Sequence, residues 1–585
     1  MELSPEKDAI PYLTSRQYTI WELIKTFWKS QHKALAWMFS IGILALTVLM
    51  VGFDVAFNYW YNYFYNALQA YDMHTTVKLL FVFFLLAGIY IVIAVYRYYV
   101  SQMFALRWRS WLTEQIMVRW LEKKGYYYLE TFDVKTDNPD QRIQEDVHGL
   151  VNSSISLVVG LVTAVTTFPA FVYILWTLSG VLSIPMGSLG VIHIHGYLVW
   201  VGVIYNLIGT FITFKIGYPL VNLNFEQQQR EATFRFSAID LRSHAEQVAL
   251  YRGEEHQKNI LNFHFKRVLQ NWYAIVLRQK KLLWFTGGFN QLAVLLPLLV
   301  ALPNYFGKVF LLGGLMQSIR AFSSVQESLS YLVNAYTAIA EWRATCTRLT
   351  TFMNHLNDAE LKAEKSDHLV INQHGESGIA VKDLVIKSPN DHILLGTINE
   401  NFIHGHNYVI KGESGIGKST FLRAIAGVWP FASGEVSFPQ NKNVMYLPQQ
   451  PYMPIGTLAE AILFPDKTDP EMEKHLESVL MDCYLEEFIP RLNETAHWSE
   501  QLSPGEQQRI AFARVLLHKP YWVFLDESTS MLDHVNEAHL YGLLKERLPN
   551  CSVVSVGHHA SVDGFHQHVL DMTKYSHKMN HHSVA

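Results

Sequence analysis

Two stretches in the second half of the chain have residue types and an order that suit phosphate chemistry. Gly412-Glu413-Ser414-Gly415-Ile416-Gly417-Lys418-Ser419-Thr420 fits the pattern of a phosphate-cradling P-loop. It follows the strand-like Tyr408-Val409-Ile410 and precedes the helical Phe421-Leu422-Arg423-Ala424-Ile425, the context that such a loop requires. Glycines let backbone N–H groups curl around a phosphate, and the helix N-terminus adds positive potential. Lys418 is then expected to reach β- and γ-phosphates and Ser419 to bind Mg²⁺. Further along, Trp522-Val523-Phe524-Leu525-Asp526-Glu527 is an apolar strand ending in two carboxylates. A lone strand of that kind means little. Downstream of a P-loop it suggests Asp526 holding a metal ion and Glu527 orienting or deprotonating an attacking water.

Around these motifs lie others that carry a resemblance. Leu502-Ser503-Pro504-Gly505-Glu506-Gln507-Gln508-Arg509 resembles the signature of ATP-binding cassette (ABC) proteins, usually Leu-Ser-Gly-Gly-Gln. Gln449, in Leu447-Pro448-Gln449-Gln450-Pro451, is similar to the Q-loop glutamine. Ser530-Met531-Leu532-Asp533 resembles the D-loop, and His558, after Ser555-Val556-Gly557, the switch histidine. A soluble P-loop kinase would lack the signature, the Q-loop and that histidine. The resemblance implies an ATPase with ATP and Mg²⁺ as cofactors. It assigns catalysis to Glu527, His558 and Gln449, nucleotide binding to the P-loop residues with Ser503, Gly505 and Glu506, and metal binding to Ser419, Gln449 and Asp526. Two departures stand out. Pro504 replaces the usual first glycine, at a place where proline suits the first turn of a helix. Lys387-Ser388-Pro389 lies where many ABC domains stack an aromatic on adenine, which puts a strict preference for ATP over GTP in doubt.

The elements that must position these residues show a divided chain. At 585 residues it is too long for a single core. Hydrophobic residues make up 50% and charged ones only 17%, well below the share of about 25% in soluble chains, which points to a membrane. A net charge of −4 argues against a nucleic-acid binder. Three widely spaced cysteines, Cys346, Cys483 and Cys551, give neither a disulfide scaffold nor a metal spacing. Apolar runs long enough to span lipid are Leu35 to Phe57, Val77 to Tyr99, Ser156 to Leu182, Gly196 to Phe214 and Leu282 to Phe306. A sixth, Val309 to Ala335, is weaker because Arg320 and Glu327 lie within it. Lys and Arg are concentrated between the second and third runs and between the fourth and fifth, so both segments and both termini are expected in the cytoplasm. The polar start, with Glu2, Pro5, Glu6 and Asp8, does not read as a cleavable signal peptide. Trp21, Ile24, Phe27 and Trp28 recur at helical spacing, as in an amphipathic helix on the cytoplasmic surface. Tyr59 to Tyr65 reads as an interfacial aromatic belt or a ligand-stacking strip. Arg320 and Glu327, two helical turns apart, either line a polar cavity or belong to a cytoplasmic extension of their helix.

The expected architecture is therefore multidomain: an all-α polytopic membrane domain of about six helices followed by an α/β ATPase domain. The boundaries are a cytoplasmic segment with the amphipathic helix at 1–33, a transmembrane domain at 34–353, a polar linker at 354–366, a nucleotide-binding domain at 367–570 and a His-containing tail at 571–585. Asn58-Tyr59-Trp60 with Phe64 to Gln69, Asn138-Pro139-Asp140-Gln141-Arg142-Ile143, Glu231 to Arg235 and Glu341-Trp342-Arg343-Ala344 resemble one ABC branch. That branch joins the SbmA/BacA-related bacterial transporters and the peroxisomal fatty-acyl half-transporters (subfamily D). The resemblance implies an ABC exporter-type membrane fold in which Asn138 to Val147 and Glu246 to His256 fall where coupling helices dock. It also implies a half-transporter in a bacterial inner membrane, with its ATPase domain cytoplasmic. One P-loop and one signature per chain, with each ABC catalytic site shared between two domains, imply a homodimer. Import of bulky hydrophilic solutes such as cobalamin or peptides, export of lipid-linked or acyl cargo, and a gated channel or regulator all stay open at this stage. The expected partners are a second copy of the chain, the lipid bilayer and a solute, with no nucleic acid.

Overall fold

A computed structural model of the chain describes residues 17–132, 138–185, 191–366, 368–374, 378–466, 470–557 and 563–576. His558 and the part of the expected tail from 577 onward lie outside the described residues. The chain divides into two units, one made of Met1–Glu122 and Lys135–His355, the other of Lys123–Val134 and Leu356–Ala585.

The first unit is helical. Helix α1 (Ile20–Lys29) is followed by α2 (Lys33–Gln69), α3 (Met73–Leu121), α4 (Val147–Ser179), α5 (Tyr197–Ser243), α6 (Ala245–Leu250), α7 (Glu254–Phe306), α8 (Leu312–Asn334) and α9 (Tyr336–Ser366). Among the described residues, five helices are long and apolar enough to cross a membrane, those holding the five clear apolar runs. The sixth run forms α8, which falls short of that apolarity but buries Leu315, Ala321, Phe322 and Val325. The helices α5 and α7, with 47 and 53 residues, are each ~70–80 Å long at 1.5 Å per residue, against a hydrocarbon core of ~30 Å. Both therefore continue far beyond the bilayer, as their basic ends lead one to expect. A hairpin of β1 (Val181–Pro185) and β2 (Val191–His195) joins α4 to α5.

Amide side chains tie the first span to α8. Asn58 donates to the Gln317 carbonyl at 3.2 Å, Asn62 to Gln317 Oε1 at 2.5 Å, and Asn66 accepts from the Gly313 N–H at 2.8 Å. The three asparagines recur every four residues and so share one face of α2. Gly313 is required by this contact, because a Cβ there would lie 2.0 Å from the Asn62 carbonyl oxygen. The aromatic segment is thus anchored by its asparagines, with Trp60 packed flat on Phe64 and donating to the Leu79 carbonyl.

Two expected boundaries change. The stretch 354–366, expected as a polar linker, continues helix α9, with Leu356, Ala359 and Ala363 buried at helical spacing. Lys123–Val134, expected within the membrane domain, belongs to the second unit. Left-handed Lys123 and Lys124 break the helix, Lys124 Nζ donates to the Gly427 carbonyl at 2.8 Å, and Phe132 packs edge-on against Phe431. The segment Asn138 to Val147 stays within its own unit: Arg142 and Asp146 are buried and paired, and Arg348 donates to Asp146.

The second unit is built on two larger sheets, beside a two-residue antiparallel pairing of 456–457 with 495–496. A mixed four-stranded sheet pairs β3 (His368–His374), β7 (Ala432–Pro439), β4 (Ile379–Lys387) and β5 (Ile393–Phe402) in that spatial order. The second sheet is fully parallel. Its order is β11 (His568–Asp571), β6 (Tyr408–Lys411), β10 (Ser552–Val556), β9 (Trp522–Asp526) and β8 (Val444–Leu447). The strand β9 is buried through Leu525, as expected for a central parallel strand.

Candidate active site

The site forms where parallel strands end, the usual place for ligands in open α/β sheets. After β6 the backbone turns through Gly412, Gly415 and Gly417, all with positive φ, and enters helix α10 (Lys418–Ile425) with Gly417 as its N-cap. Glycine supplies that curvature without steric cost. Glu413, Ser414 and Gly415 are exposed at the tip, and Ile416 is buried beneath them. Thr420 sits half-buried in the first turn of α10. Lys418 folds back over the loop and donates to the carbonyls of Gly412 at 2.9 Å and Glu413 at 3.1 Å. Burial holds its ammonium below the usual lysine value, opposed by the carboxylates of Glu527 and Asp526.

The strand β9 delivers the carboxylates. Asp526 accepts a hydrogen bond from Ser419 Oγ at 2.8 Å. Burial raises its pKa, with the Ser419 bond acting the other way. Next to it, Glu527 adopts φ +48°, a left-handed conformation that costs a non-glycine residue energy and clusters at functional sites. Its N–H donates to the Val556 carbonyl, and its side chain accepts from Gln449 Nε2 at 3.1 Å. Ser419 with Asp526, and Gln449 with Glu527, are thus joined pairwise at the ends of the parallel strands.

The signature opens helix α11 (Pro504–His518). Ser503 is the N-cap and Pro504 the first helical residue, so the departure from glycine is accommodated by proline's preference for that turn. Glu506, expected to bind nucleotide, also closes a capping box: its carboxylate accepts from the Ser503 N–H at 2.8 Å. A Cβ at Gly505 would lie 3.3 Å from the Met531 carbonyl oxygen, so the signature runs close beneath the D-loop.

Two functional residues escaped the sequence reading. Gln508, 1% exposed, accepts from the Met531 N–H at 3.0 Å and donates to the Gln449 carbonyl at 3.3 Å. It therefore links the signature helix to both the D-loop and the Q-loop. The signal was a second amide following the signature glycine, in a position where a solvated face would accept any polar residue. Arg514 is buried and donates to the carbonyls of Ala461 and Tyr452, and burial brings its pKa down to about 10. It pins the segment after the Q-loop to α11.

Residues 395–530 match the family described as ABC transporter, and residues 23–306 that described as ABC transporter transmembrane region 2. An ABC transporter ATP-binding protein of Haemophilus influenzae is 35% identical over 91% of this chain and 88% of its own length. The chain belongs to the ABC transporter family. The inner membrane ABC transporter ATP-binding protein YddA of Escherichia coli is 33% identical over 94% of this chain and 96% of its own length. ATP-binding cassette sub-family D member 3 of Homo sapiens is 25% identical over 80% and 74%. This ABC transporter is accordingly a multi-span membrane protein that binds and hydrolyses ATP. In its membrane unit, Arg320 and Glu327 are exposed on α8, and the Arg320 guanidinium lies 5.6 Å from the centre of the Tyr61 ring. Asp54 on α2 is within electrostatic reach of Arg320, Glu327 and Arg97. Arg320 and Glu327 thus come near two further charges from α2 and α3.

Proposed function

We propose that this chain is one half of a homodimeric inner-membrane transporter in which ATP hydrolysis drives uptake of bulky hydrophilic solutes. The observation that supports a polar cargo is the group Asp54, Arg97, Arg320 and Glu327, carried on three helices of the membrane unit. Charges at membrane depth rarely face lipid, and line water-filled pathways instead. Two cations and two carboxylates suit a solute with many polar groups better than an acyl chain. The direction rests on the SbmA/BacA-like motifs. The intact Glu527 favours turnover over a passive channel.

Within the ATPase unit Glu527 serves as the general base, held by Gln449, and Lys418 leaves its loop carbonyls for nucleotide phosphates. Ser419 and Asp526, a hydroxyl and a carboxylate 2.8 Å apart, form the oxygen-donor set that suits Mg²⁺, with Gln449 close by through Glu527. That ion would neutralise charge developing on the phosphate oxygens. His558 would act on the γ-phosphate, as in the family motif. Ser503 and Gly505 complete the site of the other copy, and α6, with exposed Leu250 and Tyr251, serves as a coupling helix. A deletion strain tests the reading. It should take up less bleomycin or cobalamin and resist the former. Unchanged uptake with greater drug sensitivity would instead support export.

A further inference from the structure

The amphipathic helix α1 is more firmly held than a helix resting on lipid. A capping box between Thr19 and Glu22 starts it, and Asn354 of α9 bonds both the N–H and the carbonyl of Tyr18. Leu23 and Phe27 are buried, with Phe27 stacked on Trp108 of α3. Its other apolar stripe, Trp21, Ile24 and Trp28, occupies neighbouring turns: Trp28 packs edge-on against Phe104 and Trp108, Ile24 is half-buried, and Trp21 is 69% exposed. That stripe walls a cavity of about 360 Å³ whose far side is formed by Ile43 and Leu44 of α2 and Val158 of α4.

The lining is mostly apolar, and of its polar groups the buried Trp108 indole N–H is without a hydrogen-bond partner among the described residues. The Trp28 indole N–H is spent on Ser40, that of Trp342 on Ser154, and the Tyr331 hydroxyl on the Leu157 carbonyl. Four indoles, those of Trp21, Trp28, Trp108 and Trp342, surround it, the residue type that concentrates at the level of lipid headgroups. The cavity lies among the cytoplasmic ends of the spans, beside the helix that precedes the first of them. Basic residues follow directly on the lining: Lys25 after Ile24, Lys29 after Trp28, then Lys33, all exposed and without an ion pair among the described residues. An apolar slot walled by a helix that also carries exposed lysines suits one molecule of the cytoplasmic leaflet, with its chain buried and its phosphate outside.

We infer that this cavity is a binding site for an anionic glycerophospholipid, with one acyl chain under α1 and the headgroup on Lys25, Lys29 and Lys33. The site is separate from the solute pathway and independent of the direction of transport. By this means the lipid would fasten α1 to the bundle.

The full-length protein in detergent tests this by thermal unfolding with phosphatidylglycerol, phosphatidylcholine or glycerol phosphate added. Phosphatidylglycerol should raise the transition most, phosphatidylcholine less, and glycerol phosphate not at all. Val158→Trp places an indole in the cavity from a half-exposed position. Blocking even two methylenes should weaken binding about tenfold, and the lipid-dependent shift should be lost. Lys25→Gln with Lys29→Gln should remove the preference for phosphatidylglycerol and leave the phosphatidylcholine response. If Val158→Trp does not fold, photo-crosslinkable phosphatidylglycerol on the unaltered protein decides the matter, through label on residues 21–44 and 154–161. A shift retained in Val158→Trp, equal response to the two lipids, or label confined to other helices would overturn the assignment.

Discussion

Gln508→Leu is the sharpest test of how the ATPase unit holds its catalytic glutamate. The side chain is buried, accepts from the Met531 N–H at 3.0 Å and donates to the Gln449 carbonyl at 3.3 Å. Gln449 in turn donates to Glu527 at 3.1 Å. Leucine fills a similar volume but leaves the Met531 N–H without an acceptor and the Gln449 carbonyl without this donor. A buried group stripped of its partner costs ~1–3 kcal/mol, so turnover should fall ~5- to ~150-fold if the cost falls on the reactive arrangement. The P-loop contacts are untouched, so KM for ATP should change little. Gln508→Glu keeps the acceptor for Met531 and loses the donor to Gln449, so its loss should be intermediate. Steady-state ATPase measurements in nanodiscs, paired with thermal unfolding, separate positioning from simple destabilisation. Turnover unchanged at saturating ATP in a variant of lowered thermal stability would refute the argument, as would a rise in KM with kcat intact.

Other outcomes follow from the same geometry. Glu527→Gln should still bind ATP yet release phosphate at least ~100-fold more slowly, because the positioned base is lost, and near-normal release would mean that another group is the base. Lys418→Ala should weaken nucleotide binding itself, measured as the Kd for a fluorescent ATP analogue. Gly313→Ala forces α8 away from the Asn62 carbonyl, which a Cβ would approach to 2.0 Å, so the protein should unfold at lower temperature in detergent while Gly287→Ala, with open space around it, should not. In mixed dimers with Lys418→Ala in one chain and Ser503→Ala in the other, one shared site stays intact, and partial ATPase activity above that of either mutant homodimer is expected. Full activity of a monomer would exclude shared sites.

The candidate site residues were legible because phosphate chemistry imposes both residue type and order. A loop that wraps a phosphate needs glycine where φ is positive, and Gly412, Gly415 and Gly417 are all in that region. A carboxylate pair at the end of a buried strand must follow an apolar run, which Trp522 to Leu525 supplies. The apolar spans were legible for a similar reason, since lipid demands long uninterrupted runs. What the sequence hid were positions set by the neighbour rather than by the residue. Gln508 and Arg514 look like the polar face of a helix until the loops above them are placed. Leu356, Ala359 and Ala363 looked like chance apolar residues in a polar stretch, because small alanines weaken the periodic signal. Glu506 carries both signals. Its place in the motif suggested nucleotide, and three residues after a serine N-cap a glutamate also has a nearer partner.

The membrane unit makes the same point with polar residues. Asn58 and Asn66 stand in stretches that resemble one transporter branch, and Asn62 lies between them. Their amides are engaged with Gln317 and Gly313, so the ladder fixes the first span against α8. Arg320 and Glu327 lie on that same α8, about one turn and about three turns beyond the rung at Gln317, and remain exposed. The helix therefore carries both tasks: its glycine end is locked to α2 by amides, and its charged end is left facing the neighbouring charges of Asp54 and Arg97. On the proposed reading, locking one end to α2 while the other carries the charges would set a fixed pivot beside a polar surface, the arrangement that a pathway opening and closing without unfolding requires.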